Sequence, residues 1–243
     1  TDNTSKLIKK KFPNIKLIKE NKQGVSYARN RGIINTQNDW IAFLDSDDQW
    51  CPEKIQLQVN KIKNNQNNPL FVHTNELWIK NGKIINQKKK HSKLEGNIFK
   101  NSLNMCIISP SSVLINRCLF NRYGMFKTWL KVCEDYELWL RFASKVPIYL
   151  VNKPCVVKYG GHNDQLSKKF WGIDRFRVRA FEKLILRNFD LGTDLIIKSF
   201  EKLKSHNFKF KKQADSKVTY INRHPNKQEY CKGLENYKKE LKK

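Results

Sequence analysis

Apolar positions in the first quarter of the chain switch between helical spacing and short continuous runs. Residues 7–12 carry helix-spaced Leu, Ile and Phe, residues 15–18 alternate as in a short strand, and residues 25–35 favour a second helix. Residues 40–44 form a continuous apolar run, typical of a strand buried on both faces. A further helix is predicted over residues 52–62, beginning at a proline. Helices alternating with strands predict a parallel α/β sheet.

The middle of the chain carries a β-hairpin signal. Apolar and β-branched residues over 70–79 and 83–87 flank Asn81-Gly82, the dipeptide that tight two-residue hairpin turns prefer. Residues 111–115 predict another strand. The pattern therefore extends the sheet through the middle of the chain.

Residues 135–158 predict a helix and then a strand. Residues 135–144 have the spacing of an amphipathic helix, on which Glu137 and Arg141 lie four residues apart and pair. Residues 148–158 resemble a strand, and Pro154 within it predicts an edge position because proline cannot donate to a neighbouring strand.

Beyond residue 170 helical spacing dominates. This change predicts a boundary near residue 162, which separates an α/β core over 1–162 from a helical, basic C-terminal extension over 163–243.

Composition is that of a folded, non-secreted protein. With 39% hydrophobic and 12% aromatic residues, the 243-residue chain can bury a core. It contains no apolar run near the ~18 residues needed to cross a bilayer and no signal-peptide pattern, so a cytoplasmic protein is expected. The six cysteines form no C-x-x-C pair and are expected to be reduced thiols.

The formal net charge of +26 raises the question of polyanionic partners. The lysines are spread along the whole length, and no nucleic-acid-binding motif organises them, so we expect no specific nucleic-acid partner. Residues 198–243 carry 14 Lys and Arg against 5 Asp and Glu. That excess favours peripheral association with the inner face of an anionic membrane.

One segment reverses this charge. Residues 39–58 contain five acidic side chains and a single lysine, and their centre is the run Asp45-Ser46-Asp47-Asp48 at the end of the predicted strand 40–44. Clustered carboxylates repel one another unless a cation or proton intervenes, and hard divalent ions such as Mg²⁺ or Mn²⁺ suit them. Taken alone, the run could equally cap the next helix along the chain.

Three ordered motifs together resemble those of glycosyltransferase family 2, whose fold is the GT-A fold. They are residues 21–33 (NKQGVSYARNRGI), residues 40–48 (WIAFLDSDD) with Pro-Glu-Lys at 52–54, and residues 134–141 (EDYELWLR). The resemblance covers roughly residues 1–167 and implies a GT-A core: a mixed sheet flanked by helices, of the Rossmann-like type that binds nucleotide sugars.

The resemblance gives roles to the first two motifs. Asp45 would contact the nucleotide and, with Asp47, would hold the Mg²⁺ or Mn²⁺ that bridges the donor diphosphate. Arg29 and Asn30 would face the nucleotide sugar. A guanidinium fork suits paired phosphate oxygens, although an arginine on a helix can also simply be solvated.

The resemblance also identifies a base. Asp135 would take the proton from the acceptor hydroxyl, with Glu134 beside it to orient the acceptor. Two acids before a helix can also be caps. His162, in a loop after the last core strand, would contact the donor once the loop closes, or it is an ordinary surface histidine.

The function implied is inverting transfer of a hexose from a nucleotide-diphosphate sugar to a glycan or lipid-linked acceptor, in cell-surface polysaccharide synthesis. Residues 1–5 resemble the segment that comes directly after the family's first strand-turn-strand portion, so that portion is expected to precede this sequence. The alternatives are a truncated, non-catalytic nucleotide-sugar-binding module and a basic membrane-surface adaptor.

Overall fold

A six-stranded sheet organises the residues that the computed structural model describes, which are 3–160 and 173–187. The strands are β1 Trp40–Ala42, β2 Asp48–Trp50, β3 Phe71–Lys80, β4 Lys83–Ile85, β5 Leu114–Asn116 and β6 Tyr149–Gly160. The α-helices are α1 Thr4–Lys11, α2 Val25–Asn35, α3 Lys54–Lys63, α4 Phe99–Ser102, α5 Arg117–Tyr123, α6 Glu134–Ala143 and α7 Asp174–Arg187. Short 3₁₀ turns span Lys89–His91 and Pro110–Ser112.

The sheet is mixed, in the order β1-β5-β3-β6-β2, with β4 paired to β3 as the predicted hairpin. Among the described strands only β3 and β6 run parallel; the other pairs are antiparallel. The prediction of a parallel sheet was therefore wrong, whereas the mixed sheet implied by the family resemblance is present. The helix-strand alternation does not fix direction, because β5 enters antiparallel between β1 and β3.

Strand β6 lies inside the sheet rather than at its edge, which corrects the prediction made from Pro154. It pairs with β3 along its length and with β2 through Val156–Lys158. Pro154 sits opposite Asn75, where the register shifts, so the irregularity accommodates the missing N–H.

Two sequence predictions at the start of the chain need correction. Residues 15–18 form no strand, and Ile15 and Leu17 are exposed. The apolar run 40–44 contributes only three residues to β1, of which Ile41 alone is buried. Alternation and apolar runs are local signals, and they do not show which other elements pack against a segment.

Helix α6 is more deeply buried than its predicted amphipathic character implies. Nine of its ten residues are buried, and it packs aromatic rings against β3, as in the edge contact of 5.2 Å between the ring centroids of Phe71 and Trp139. Glu137 and Arg141 form the predicted pair, 2.5 Å apart, and the guanidinium also donates to the carbonyl oxygen of Gly124 at 2.7 Å. Satisfying these charges locally lets the helix enter the core.

The C-terminal part of the chain is described over α7 alone, which packs against α6. The guanidinium of Arg177 lies over the ring of Tyr136, 5.6 Å from its centroid. The boundary near residue 162 and the helical extension beyond α7 stay predictions. Within the described residues, no helix is both long and apolar enough to span a membrane.

Candidate active site

Helix α2 positions an arginine that joins two distant acidic segments. Arg29 donates from Nη2 to Asp45 Oδ1 and from Nη1 to Glu134 Oε1, and both distances are 2.6 Å. Its side chain is 10% exposed. Burial disfavours its charge, but the carboxylates of Asp45 and Glu134 outweigh this effect and raise the pKa of the guanidinium. The interpretation of Arg29 as a merely solvated helix residue was therefore wrong.

The acidic run forms a turn between β1 and β2. The amide of Asp48 donates to the carbonyl oxygen of Asp45 at 3.0 Å, and the hydroxyl of Ser111 accepts from the amide of Asp45 at 3.0 Å. Helix α3 begins several residues later and has Glu53 as its N-cap, so the acidic run does not cap it. Asp47 at the tip of the turn is exposed.

Asp48 has a different partner from its neighbours. Its carboxylate, 1% exposed, receives a hydrogen bond of 2.8 Å from Lys158 Nζ on β6. Burial raises the pKa of Asp48 against the effect of Lys158, while Asp48 raises the pKa of Lys158 against the effect of burial. This pair fastens β2 to β6 and leaves Asp45 and Asp47 as the acids of the turn that can meet a ligand.

The two acids of the third motif open helix α6. Cys133, directly before them, adopts a left-handed backbone conformation with φ 62°, which turns the chain into the helix. Glu134 lies 7% exposed beside Arg29, while Asp135 accepts from the amide of Tyr136 at 2.7 Å. Burial and the neighbouring Asp135 carboxylate raise the pKa of Glu134 to about 7, although Arg29 opposes this.

A single cleft of about 1910 Å³ connects these groups. Six acidic side chains and four Lys or Arg line it, so the cleft carries an acidic excess in a protein of net charge +26. The charged residues are Asp45, Asp47, Asp48, Glu76, Glu134, Asp135, Arg29, Lys93, Lys158 and Arg177. Such an imbalance around a shared space favours a bound cation.

The arrangement suits a metal that arrives with a phosphate ligand. The described residues contain no group of three or more His, Cys, Asp or Glu able to hold an ion by themselves. Asp47 is exposed at the cleft, and Asp45 is partly exposed with one oxygen engaged by Arg29. Mg²⁺ commonly takes one or two protein carboxylates and completes its shell with water and substrate phosphates, which this pair can support.

The remaining predicted site residues fall into two groups. The side-chain amide of Asn30 exchanges two hydrogen bonds with the backbone of Phe126, of 2.9 and 3.0 Å, so it ties α2 to the segment before α6; its contact with a donor stays a prediction. His162 lies outside the described residues. The motifs did not reveal Lys158 or Arg177, whose charges face the cleft from β6 and α7.

Comparison with known proteins identifies the class. The family model described as glycosyl transferase family 2 matches residues 1–124, about half of the chain, and the chain belongs to this family. The motifs that carried the resemblance are those that Arg29 joins in the cleft.

Among curated relatives, an uncharacterised glycosyltransferase of Rickettsia conorii is 36% identical over 187 residues, which cover 74% of this chain and 30% of that protein. The Escherichia coli protein named UDP-Glc:alpha-D-GlcNAc-diphosphoundecaprenol beta-1,3-glucosyltransferase WfgD is 32% identical over 155 residues, covering 63% of this chain and 58% of that protein. The chain thus spans about a third of the length of its Rickettsia conorii relative.

Among solved structures, residues 1–349 of S. aureus TarS in complex with UDP-GlcNAc superpose with a TM-score of 0.66 at 16% identity. The match covers 92% of this chain and 66% of the TarS chain. It shows that the fold is the GT-A fold.

Proposed function

We propose that the protein is a metal-dependent, inverting glycosyltransferase that moves a hexose from a nucleotide-diphosphate sugar to a glycan or lipid-linked acceptor. The observation that carries the proposal is the double ion pair of Arg29, which brings the acidic turn at Asp45 and the acid pair Glu134-Asp135 to one cleft. A metal-binding turn and a candidate base facing one space are what this reaction requires.

In this proposal the turn between β1 and β2 binds the donor. Asp47 and Asp45 would hold Mg²⁺ or Mn²⁺, which when bound offsets the negative charge that develops on the departing diphosphate. Arg29 fixes Asp45 from the protein side, so the carboxylate is oriented before the donor arrives. Asn30 and His162 are proposed as further donor contacts.

Asp135 is proposed as the base. The acceptor hydroxyl oxygen forms a bond to the anomeric carbon on the face opposite the diphosphate, the bond from that carbon to the diphosphate oxygen breaks, and Asp135 takes the hydroxyl proton. Glu134 is held by Arg29 and is suited to orient the acceptor rather than to receive its proton. Glu134 and Asp135 both lie in the first turn of α6, so the acid pair is at the N-terminus of this helix.

The chemical class of substrate is suggested by similar proteins. WfgD by its name uses UDP-Glc and a GlcNAc-diphosphoundecaprenol acceptor, and the TarS structure holds UDP-GlcNAc. We therefore propose a UDP-hexose donor and a lipid-linked glycan acceptor, in polysaccharide synthesis on the cytoplasmic side of the membrane. The basic segment 198–243 would provide peripheral attachment to anionic lipid.

The test is transfer by the full-length protein supplied with UDP-glucose or UDP-GlcNAc, Mn²⁺ and a short-chain lipid diphosphate that carries GlcNAc. Asp135→Asn should lower kcat by about 10²- to 10⁴-fold, because loss of general-base catalysis has that scale. Asp39→Asn, an exposed carboxylate that does not line the cleft, is the matched control and should keep full activity. Turnover by Asp135→Asn equal to the control would refute the role, and a non-catalytic binding module would show no turnover in any form.

A further inference from the structure

Trp78 is an aromatic side chain that lines the cleft and has no role in the proposed donor chemistry. Strand register places Asp48, Lys158 and Trp78 in one row across β2, β6 and β3, and all three line the cleft. Neighbouring strands lie about 4.8 Å apart, so Trp78 is roughly 10 Å from the acidic turn along this row. Its ring is partly exposed to the cleft.

The orientation of the Trp78 indole is fixed from two sides. Its Nε1–H donates to Glu76 Oε2 at 3.0 Å, and His91 meets the ring edge to face, with 5.1 Å between ring centroids. A ring held in this way needs little ordering when a ligand stacks on it.

The carboxylate that accepts from the indole belongs to a buried ion pair. Glu76, whose side chain is 1% exposed, pairs with Lys93 at 3.0 Å and also accepts from the hydroxyl of Ser109. Lys93 in turn donates to the carbonyl oxygen of Ile107 at 2.6 Å. Each polar group of this cluster has a partner, which is the condition under which a buried ion pair specifies one geometry.

The same backbone segment links this support to the candidate base. Cys106 contacts Asp135 Oδ2 at 3.7 Å, and Ser109, three residues later, contacts Glu76. Three extended residues span at most about 10 Å, so this short segment contacts both the candidate base and the support of the indole, and Trp78 and Asp135 line the same cleft.

We infer that Trp78, supported by His91 and Glu76, is the platform on which a pyranose ring of the acceptor stacks. Trp78 presents an apolar face suited to the C–H face of a sugar, and Lys158 in the same row offers a cation to its hydroxyl oxygens. A donor sugar joined directly to a diphosphate at Asp45 and Asp47 fills the space beside the turn. The platform two strands away then receives the acceptor. The inference deepens the proposed function and rests on it.

The experiment measures ligand binding to the full-length protein by saturation-transfer NMR and titration. The probe is a short-chain lipid diphosphate carrying GlcNAc, added in the presence of UDP and Mn²⁺. The wild type should show saturation of the sugar ring protons, and Trp78→Ala should weaken probe affinity at least tenfold. Trp78→Phe, which keeps an aromatic face, should retain part of that affinity and guards against misfolding of the alanine variant.

Trp40→Ala is the matched control, because Trp40 is a partly exposed tryptophan on β1 that does not line the cleft. In transfer assays the loss in Trp78→Ala should fall on the acceptor KM rather than on the donor KM. Probe affinity of Trp78→Ala equal to that of Trp40→Ala overturns the inference, as does wild-type protein that binds UDP with Mn²⁺ yet does not bind the probe. Failure of the wild type to bind UDP overturns the proposed function instead, and the inference with it.

Discussion

Arg29 is the residue that converts two separate acidic motifs into one site. It is shared between Asp45 and Glu134, with Asp135 next along the chain, so one cation serves a cluster of carboxylates. The resulting excess of negative charge, added to burial, explains why the pKa of Glu134 rises although it touches a guanidinium. Under the proposed function, the metal ion would offset part of this excess.

Removal of this cation should destabilise the fold. Arg29→Ala leaves buried Glu134 and partly buried Asp45 without their partner, and breaking a buried pair from one side costs about 3 kcal/mol of unfolding free energy. Urea unfolding measures the loss, and Arg31→Ala, an exposed arginine on the same helix, should stay within about 0.5 kcal/mol of wild type.

A second substitution separates the charge effect from lost packing. If uncompensated carboxylates cause the instability, adding Glu134→Gln to Arg29→Ala should recover part of the lost free energy. A double variant that is less stable than Arg29→Ala would show that the guanidinium acts through packing, as its contact with the Phe126 ring at 5.3 Å would allow.

At the residue scale, the sequence predicts which residues line the candidate site better than it predicts which of them pair with one another. The motifs indicated Arg29, Asp45, Glu134 and Asp135, and all four line the cleft. Their pairing across 16 and 105 residues depends on how α2 and α6 pack, which spacing does not encode. The sequence alone does not single out Trp78, because a tryptophan in a strand is more often part of the core.

At the scale of elements, helix α3 is fastened to the sheet by a buried lysine. Lys54 Nζ lies 4.3 Å from the centroid of the Trp50 ring, donates to Gln58 Oε1 at 2.8 Å and to the carbonyl oxygen of Val113 at 3.3 Å. Burial lowers the pKa of this ammonium to about 7. Helix α3 therefore contacts β2 and the residue before β5 through a lysine whose pKa lies near neutral pH.

This titration predicts a pH dependence of stability. In the unfolded chain Lys54 has a pKa of about 10.4, so between about pH 7 and 10 the unfolded state binds more protons than the folded state. Lys54 should therefore make the free energy of unfolding rise with pH over that window, by roughly 2–4 kcal/mol relative to Lys54→Met. The buried thiols of Cys106 and Cys133, whose pKa burial raises, lower the free energy of unfolding above about pH 9 in both proteins, so the difference between the two curves carries the prediction. Urea unfolding at several pH values measures the slope.

Lys54→Met should remove that rise, whereas Lys63→Met, an exposed lysine at the end of α3, should keep it. Parallel stability curves for the wild type and Lys54→Met would contradict the assignment.

Element predictions succeeded where the signal was local. The Asn81-Gly82 hairpin, helix α2 and the Glu137–Arg141 pair arise from turn chemistry and helical spacing, and the structure has all three. Strand direction and the position of β6 were missed because they depend on pairing partners far along the chain. Pro154 misled for the same reason, since a register shift can absorb it inside a sheet.

At the scale of the whole molecule, an acidic cleft lies in a protein of net charge +26. Under the proposed function, that contrast separates two interactions: the cleft would hold a cation and the donor diphosphate, and the basic segment 198–243 would meet an anionic surface. The fold class came from the motif resemblance, but the sequence could not show which acids remain available to a metal. The Asp48–Lys158 pair engages Asp48, which supports Asp45 and Asp47 as the proposed metal ligands.

The most direct test of the central claim is the affinity of the full-length protein for UDP, measured by calorimetry with Mn²⁺ and with EDTA. We expect Mn²⁺ to tighten binding at least tenfold in the wild type and in Asp39→Asn, and to have little effect in Asp47→Asn, because Asp47 is the exposed carboxylate of the turn. A wild-type dissociation constant for UDP that is the same in Mn²⁺ and in EDTA would contradict the metal-dependent donor site.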